Sequence, residues 1–301
     1  MRYYQISFRR ETRLVVETSD DVLMDLTSVN GHVRTLSDLL RAASISGKDM
    51  DLIARDLIDR GACTKYSLQE VEETSATGAH GPYLLPPIWP EEVWAAGLTY
   101  QDSMKERQAE SDTPDVYAMV YKAQRPEIFL KSTPNRTVGS FMDVGIRSDS
   151  EWNVPEPELT FILYDSQIAG FTIGNDMSSR TIEGANPLYL PQAKLYDKSC
   201  ALGPCFVTAS DVDNPQNLRV DMAIHRDRTQ VFSGTTSTAN MKRTCDELSD
   251  WLQRHNPVPD GTAVMTGTGI IPPPDFSLKE GDVVTVEVAQ IGRLVNTVVF
   301  V

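Results

Sequence analysis

The stretch Val154-Pro155-Glu156-Pro157-Glu158-Leu159-Thr160-Phe161-Ile162-Leu163-Tyr164 sets two glutamates, one residue apart, at the mouth of an apolar run. The run Leu159–Tyr164 reads as a strand, and Ile168–Ile173 reads as its hairpin partner across Asp165-Ser166-Gln167. In a strand, residues i and i+2 point to one face, so Glu156 and Glu158 present two carboxylates to the same spot. The returning strand ends in Gly-Asn-Asp-Met-Ser-Ser-Arg (174–180) and brings Asp176 back beside them. Carboxylates held this close repel, so a cation or a bound proton must compensate. Three carboxylates with no His or Cys nearby suit a hard divalent cation, with Mg²⁺ expected and Mn²⁺ or Ca²⁺ as substitutes. A solvated turn is the competing interpretation of a bare Glu-x-Glu, and the apolar strand and the returning Asp weigh against it.

The rest of the chain limits what such a site can serve. The 301 residues suffice for one large domain, or for a small domain joined to a larger one. The formal net charge is −14, and Lys and Arg form no basic block. Nucleic acid and anionic membranes select for such blocks, so neither is expected as a partner. No apolar stretch approaches the roughly 20 residues of a membrane helix. The N-terminal Met-Arg-Tyr-Tyr-Gln-Ile-Ser-Phe-Arg-Arg lacks the apolar core of a secretory signal. Cys63, Cys200, Cys205 and Cys245 form no Cys-x-x-Cys pair and read as reduced thiols, which points to the cytoplasm.

Outside the hairpin, short β signals occur at Tyr3–Phe8 and Arg13–Glu17. A helix follows with Thr35 as its cap and Leu36, Leu39, Leu40 and Ala43 at helical spacing; a second, Met50–Arg60, stops at Gly61. Residues 73–91 are rich in Gly and Pro and read as a linker, with a domain boundary near residue 88. Beyond it the pattern is mostly β: Asp115–Ala123, Ile128–Lys131, Val264–Met265, Val283–Val288 and Leu294–Val301 all read as strands. Met241, Cys245, Leu248 and Leu252 mark one helix, ended by Asn256-Pro257. The fold class is α+β and mostly β, with residues 1–88 as a small N-terminal α/β domain and 89–301 as the larger domain.

Two further segments could carry chemistry. The loop Asn-Pro-Leu-Tyr-Leu-Pro-Gln-Ala-Lys-Leu-Tyr-Asp-Lys (186–198) offers Lys194 and Lys198, either of which could stabilise developing negative charge beside a metal. Met-Thr-Gly-Thr-Gly-Ile-Ile-Pro (265–272) sets Thr268 between glycines, a turn whose N–H groups could meet an anion. His32, His80, His225 and His255 are scattered with no metal spacing, and no Gly-x-Ser-x-Gly elbow or Cys–His pattern supports a nucleophilic triad.

Taken in order, Pro-Glu-Pro-Glu-Leu, Gly-Asn-Asp-Met-Ser-Ser-Arg, Gln-Ala-Lys, Thr-Gly-Thr and the ending Leu278-Lys-Glu-Gly-Asp-Val-Val-Thr-Val-Glu-Val resemble the fumarylacetoacetate hydrolase superfamily over residues 89–301. The resemblance implies a mixed β-sandwich roll, with Glu156, Glu158 and Asp176 as metal ligands and Lys194, not Lys198, as the pocket lysine. Arg125–Arg136, Arg147–Trp152 and the 186–196 loop are similar to one branch, the 2-keto-3-deoxy-D-arabinonate dehydratases. These remove water from a 2-keto-3-deoxy-pentonate to give 2-oxoglutarate semialdehyde.

Three departures from the hydrolases bear on the activity. In Gly97-Leu-Thr-Tyr-Gln-Asp-Ser-Met-Lys-Glu-Arg107, Ser103 stands near the lid histidine that activates water in the C–C hydrolases, while Glu106 is kept. Arg180-Thr181 replaces the usual Arg-Asp, and Glu127 stands where hydrolases carry an uncharged residue. A dehydratase needs no activated water, so the resemblance implies a Mg²⁺-dependent hydro-lyase. The alternative is a hydrolase or decarboxylase of 2,4-diketo acids. In the dehydratase, Glu127 is the first candidate for the C3 base and Glu106 the second. Lys194 assists the enolate or the leaving hydroxyl, and Lys131 is structural. Thr268, Gly267, Tyr100 and Ser103 are the candidates for substrate contact. The expected partner is a small 2-keto acid, and the expected assembly a homodimer or homotetramer.

Overall fold

A computed structural model describes residues 1–101, 103 and 114–301, without the side chains of 114–117. The hairpin that opens the sequence lies at its centre. Pro157–Tyr164 pairs antiparallel with Gln167–Asp176, and Asp165 (φ 49°) and Ser166 (φ 61°) alone make the turn. Two successive positive φ values give the tight reversal that matches strand twist, and Asp is among the residues that tolerate it.

On either side the sheet runs on to twelve strands. Cys200–Thr208 pairs with Gln167–Asp176, and Arg2–Phe8 pairs with Cys200–Thr208, so the N-terminal strands continue the same sheet. On the other flank Ala263–Met265 pairs with Pro157–Tyr164, followed by Val93–Gly97 and Glu127–Ser132. A second sheet of five strands has the order Thr229–Ser237, Arg219–Arg226, Val283–Val288, Gly292–Phe300, Asp143–Ile146.

The strand Pro157–Tyr164 is buried on both faces, which explains its unbroken apolar run. Leu159, Phe161 and Leu163 meet Val220, Met222, Ile224, Val284, Val286 and Leu294 of the five-stranded sheet in one core. Ile162 and Met265, on the opposite face, pack with Leu36, Leu39, Leu40 and Ala54 of the N-terminal helices. A mostly β sandwich with helices against one face is the result, as expected for a β-sandwich roll.

Several elements differ from the sequence expectation. Pro114–Lys122 is a helix, not a strand. Pro fits its first position, where the missing N–H costs nothing. At its far end Arg243 Nη1 donates to the Gln124 carbonyl (3.0 Å), and Lys242 Nζ donates to the Tyr121 carbonyl. The stretch read as a linker starts inside a helix, Leu68–Thr77, capped by Ser67 and closed by Gly78 at φ 66°. It then yields a strand, Tyr83–Leu85, paired with Arg2–Phe8. The helix expected from Met241 begins at Cys245, capped by Thr244, while Met241 bridges Tyr100. Among the described residues no helix is long and apolar enough to cross a membrane. All four cysteines are unpaired thiols.

Candidate active site

The hairpin register brings the three carboxylates together. Glu156 and Asp176 face each other across the strand pair and exchange backbone hydrogen bonds (3.2 and 2.9 Å), and Glu158 follows two residues along. One oxygen from each of Glu156, Glu158 and Asp176 lies within 4.8 Å of the other two, and all three residues are buried. Gly174 stands opposite Glu158, and a Cβ there would lie 2.4 Å from Thr160 Oγ1, so only glycine lets the strands approach this closely.

Buried carboxylates this close need counter-charge. Lys131 is fully enclosed; its Nζ lies 2.6 Å from Asp176 Oδ1 and donates to the carbonyls of Met177 and Lys194. Lys194 Nζ donates to Glu156 Oε2 (2.7 Å), Asp176 Oδ2 (3.1 Å) and Ser178 Oγ (2.6 Å). Arg180 Nη2 lies 3.0 Å from Glu156 Oε1. Glu158 instead accepts the Gly267 N–H at 2.5 Å. Burial, followed by the charges of Asp176 and Glu156, pushes the Glu158 carboxyl well above the usual carboxylate range. Burial alone would also raise Asp176, but Lys131 and Lys194 together hold it below its ordinary value.

The trio forms one wall of a cavity that opens to solvent. Lys194, Glu127, Glu183, Ser103, Thr268 and Gly267 add its other polar lining, and Ala96, Leu98, Phe129, Pro187 and Leu190 its apolar lining. Glu127 comes from the strand Glu127–Ser132 directly opposite Gly97, where an added Cβ would lie 2.2 Å from Glu127 Oε2. Among the described residues five carboxylates line the cavity, and Lys131, Lys194 and Arg180 pair with the trio and Glu183. The all-oxygen donor set suits a hard ion such as Mg²⁺.

Of the residues singled out from sequence, Glu156, Glu158, Asp176, Lys194, Glu127, Ser103, Gly267 and Thr268 line this one cavity. Lys198 lies apart, 3.4 Å from Asp143 and partly exposed. Tyr100 is buried but is not among the lining residues; a Cβ on Gly269 would meet its ring at 2.5 Å. The Gly267 N–H is committed to Glu158, so this amide orients a carboxylate. Thr268 Oγ1 exchanges hydrogen bonds with the Ile270 backbone. Glu106 lies outside the described residues. Thr181 accepts a hydrogen bond from the Trp152 N–H, 3.0 Å, away from the carboxylates. Glu183 was not singled out; its only signal is its place three residues after Arg180, on the same helical face.

This fold and this carboxylate site belong to a known class. Residues 92–299 match the family described as fumarylacetoacetate (FAA) hydrolase C-terminal, and the chain belongs to that family. It is 44% identical over 298 residues to a probable 2-keto-3-deoxyxylonate dehydratase of Haloferax volcanii, covering 99% of each chain. It is likewise 44% identical over 218 residues to the 2-dehydro-3-deoxy-D-arabinonate dehydratase of Saccharolobus solfataricus, covering 70% of this chain and 73% of the relative. Among solved structures, 2-keto-3-deoxy-D-arabinonate dehydratase complexed with magnesium and 2,5-dioxopentanoate superposes with a TM-score of 0.83 at 32% identity, covering 100% of this chain and 99% of that one.

Proposed function

We propose that this protein is a Mg²⁺-dependent dehydratase that converts a 2-keto-3-deoxy-pentonate to 2,5-dioxopentanoate, the semialdehyde of 2-oxoglutarate. The observation that carries this reading is the near-full-length likeness to a dehydratase at 44% identity, joined to a cavity whose donors suit that chemistry. Glu156, Glu158 and Asp176 hold the metal. When bound, Mg²⁺ supplies Lewis-acid polarisation of a 2-keto carboxylate.

The chain's own residues do the rest. Glu127, from a different strand, takes a proton from C3 of the substrate. Lys194, whose ammonium already donates to Glu156 and Asp176, hydrogen-bonds the oxygen that gains charge or gives a proton to the departing C4 hydroxyl. Lys131 keeps Asp176 oriented and stays out of the reaction. Thr268 contacts the substrate carboxylate, and Ser103 borders it. The apolar wall of Phe129, Pro187 and Leu190 limits water access.

Residues 1–88 form the small N-terminal unit, whose strands extend the central sheet and whose helices cover one face of the hairpin. Packing and assembly are its roles. The chain acts as a homodimer or homotetramer in the cytoplasm, the compartment its unpaired thiols fit. Light scattering gives the oligomer directly.

The reaction is tested by supplying racemic 2-keto-3-deoxy-pentonates with Mg²⁺, then with EDTA, and following the semialdehyde through a coupled aldehyde dehydrogenase. Metal-dependent semialdehyde supports the reading. Pyruvate released from a 2,4-diketo acid, with no semialdehyde, overturns it.

A further inference from the structure

The proposed product demands more than loss of water. Removing a C3 proton and the C4 hydroxyl leaves a C3=C4 double bond conjugated to the C2 carbonyl, with C5 still a primary alcohol. To become 2,5-dioxopentanoate, this enone must lose a proton from C5 and gain one at C3. The resulting C4=C5 enol then takes a proton at C4 and releases its hydroxyl proton. A group that can accept a proton must therefore reach the C5 end, and a second carboxylate there would spare the one serving C3 from shuttling between the two carbons.

Besides the trio, two carboxylates line the cavity among the described residues, Glu127 and Glu183. They come from different walls. Glu127 projects from the sheet beside Gly97, while Glu183 sits on the short helix Arg180–Ala185. Glu183 is 6% exposed yet faces the cavity. Arg180 ties it to the trio: Nη1 lies 3.6 Å from Glu183 Oε2, and Nη2 lies 3.0 Å from Glu156 Oε1. Glu183 and the metal-binding end thus share one guanidinium while belonging to different elements.

We propose that Glu183 is the second proton-transfer residue, taking the C5 proton of the enone and returning it at C4. The inference rests on the dehydratase reading. Glu127 takes a C3 proton, and the C4–O bond breaks as Lys194 protonates the leaving hydroxyl. Glu183 then takes the C5 proton while Glu127 returns its proton to C3, giving the C4=C5 enol. Glu183 finally protonates C4, and the enol hydroxyl proton restores Lys194. One water is released, no oxidant is needed and every residue regains its starting state.

The test uses full-length Glu183→Gln with Mg²⁺, monitoring substrate loss, ultraviolet absorbance of the conjugated enone, and semialdehyde. Substrate loss should fall less than about 10-fold and semialdehyde formation about 100-fold or more, the scale of general base catalysis. The enone should accumulate in the variant and not in the wild type. Equal slowing of both steps, or unchanged kinetics, overturns the proposal. Calorimetric Mg²⁺ titration identifies a variant damaged only through Arg180 and Glu156, and Glu183→Asp should restore part of the second step. If the wild type forms neither enone nor semialdehyde, the dehydratase reading itself has failed.

Discussion

Lys131 and Lys194 grip opposite oxygens of one carboxylate, Asp176, at 2.6 and 3.1 Å. Their surroundings differ. Lys131 has no exposed surface, spends its remaining donors on two backbone carbonyls and is absent from the cavity lining. Lys194 lines the cavity and donates to side-chain oxygens of Glu156, Asp176 and Ser178. The contrast separates two uses of a buried ammonium. One fixed to backbone holds a fold together. One fixed to carboxylates on a cavity wall stands within reach of what the cavity holds.

The largest expected effect follows from Lys131. Lys131→Met should leave Asp176 with Lys194 in place of two ammonium partners and cost about 3 kcal/mol of stability, measured by urea unfolding. Retention of wild-type stability would break the contrast. Next is Glu158→Gln, which should lose Mg²⁺ affinity and turnover together, since it deletes a ligand charge; native affinity in an inactive variant would remove Glu158 from the ligand set. Lys194→Ala should lower kcat about 100-fold or more while leaving Mg²⁺ affinity unchanged or higher, because the metal no longer competes with the ammonium. Calorimetry beside steady-state kinetics checks both.

A smaller effect should appear in metal-free protein as pH changes. The folded Glu158 carboxyl titrates above its ordinary 4.5, so its stabilising contribution is full below that value and fades as pH rises through the higher folded one. Asp176 has the opposite sign: its contribution is lost as pH falls below 3.8 toward its depressed folded value. In EDTA-treated protein the Glu158→Gln variant should therefore lose less stability than the wild type as pH rises above 4.5, read as the difference in melting temperature between the two. Mg²⁺ at a hundredfold excess over its Kd should restore about 2.7 kcal/mol. The smallest effect is Lys198→Ala, which should stay within about 0.5 kcal/mol and leave kcat unchanged, since this lysine meets Asp143 outside the cavity.

Much of the site was legible because it is written in short-range sequence. A two-residue glutamate spacing followed by an apolar run forces two carboxylates onto one face, and a tight turn forces Asp176 back opposite Glu156. Strand period and turn chemistry are local rules. The helix at Pro114–Lys122 escaped them, because its β-branched and aromatic residues favour strand in isolation. The cationic side chains on its terminal carbonyls come from residues 242 and 243, more than a hundred positions away. The stretch read as a linker deceived for a related reason: its Gly and Pro residues flank a three-residue strand whose partner is the N-terminal strand.

Sequence alone thus determined the hairpin, the three carboxylates at its open end and the β-rich class, all products of spacing within about twenty residues. Only the tertiary structure decided that Lys131 is sealed beneath Asp176, that the Gly267 amide belongs to Glu158, and that Glu183 shares the cavity. These depend on which distant segments pack against the hairpin, and that choice is made by burial of whole faces.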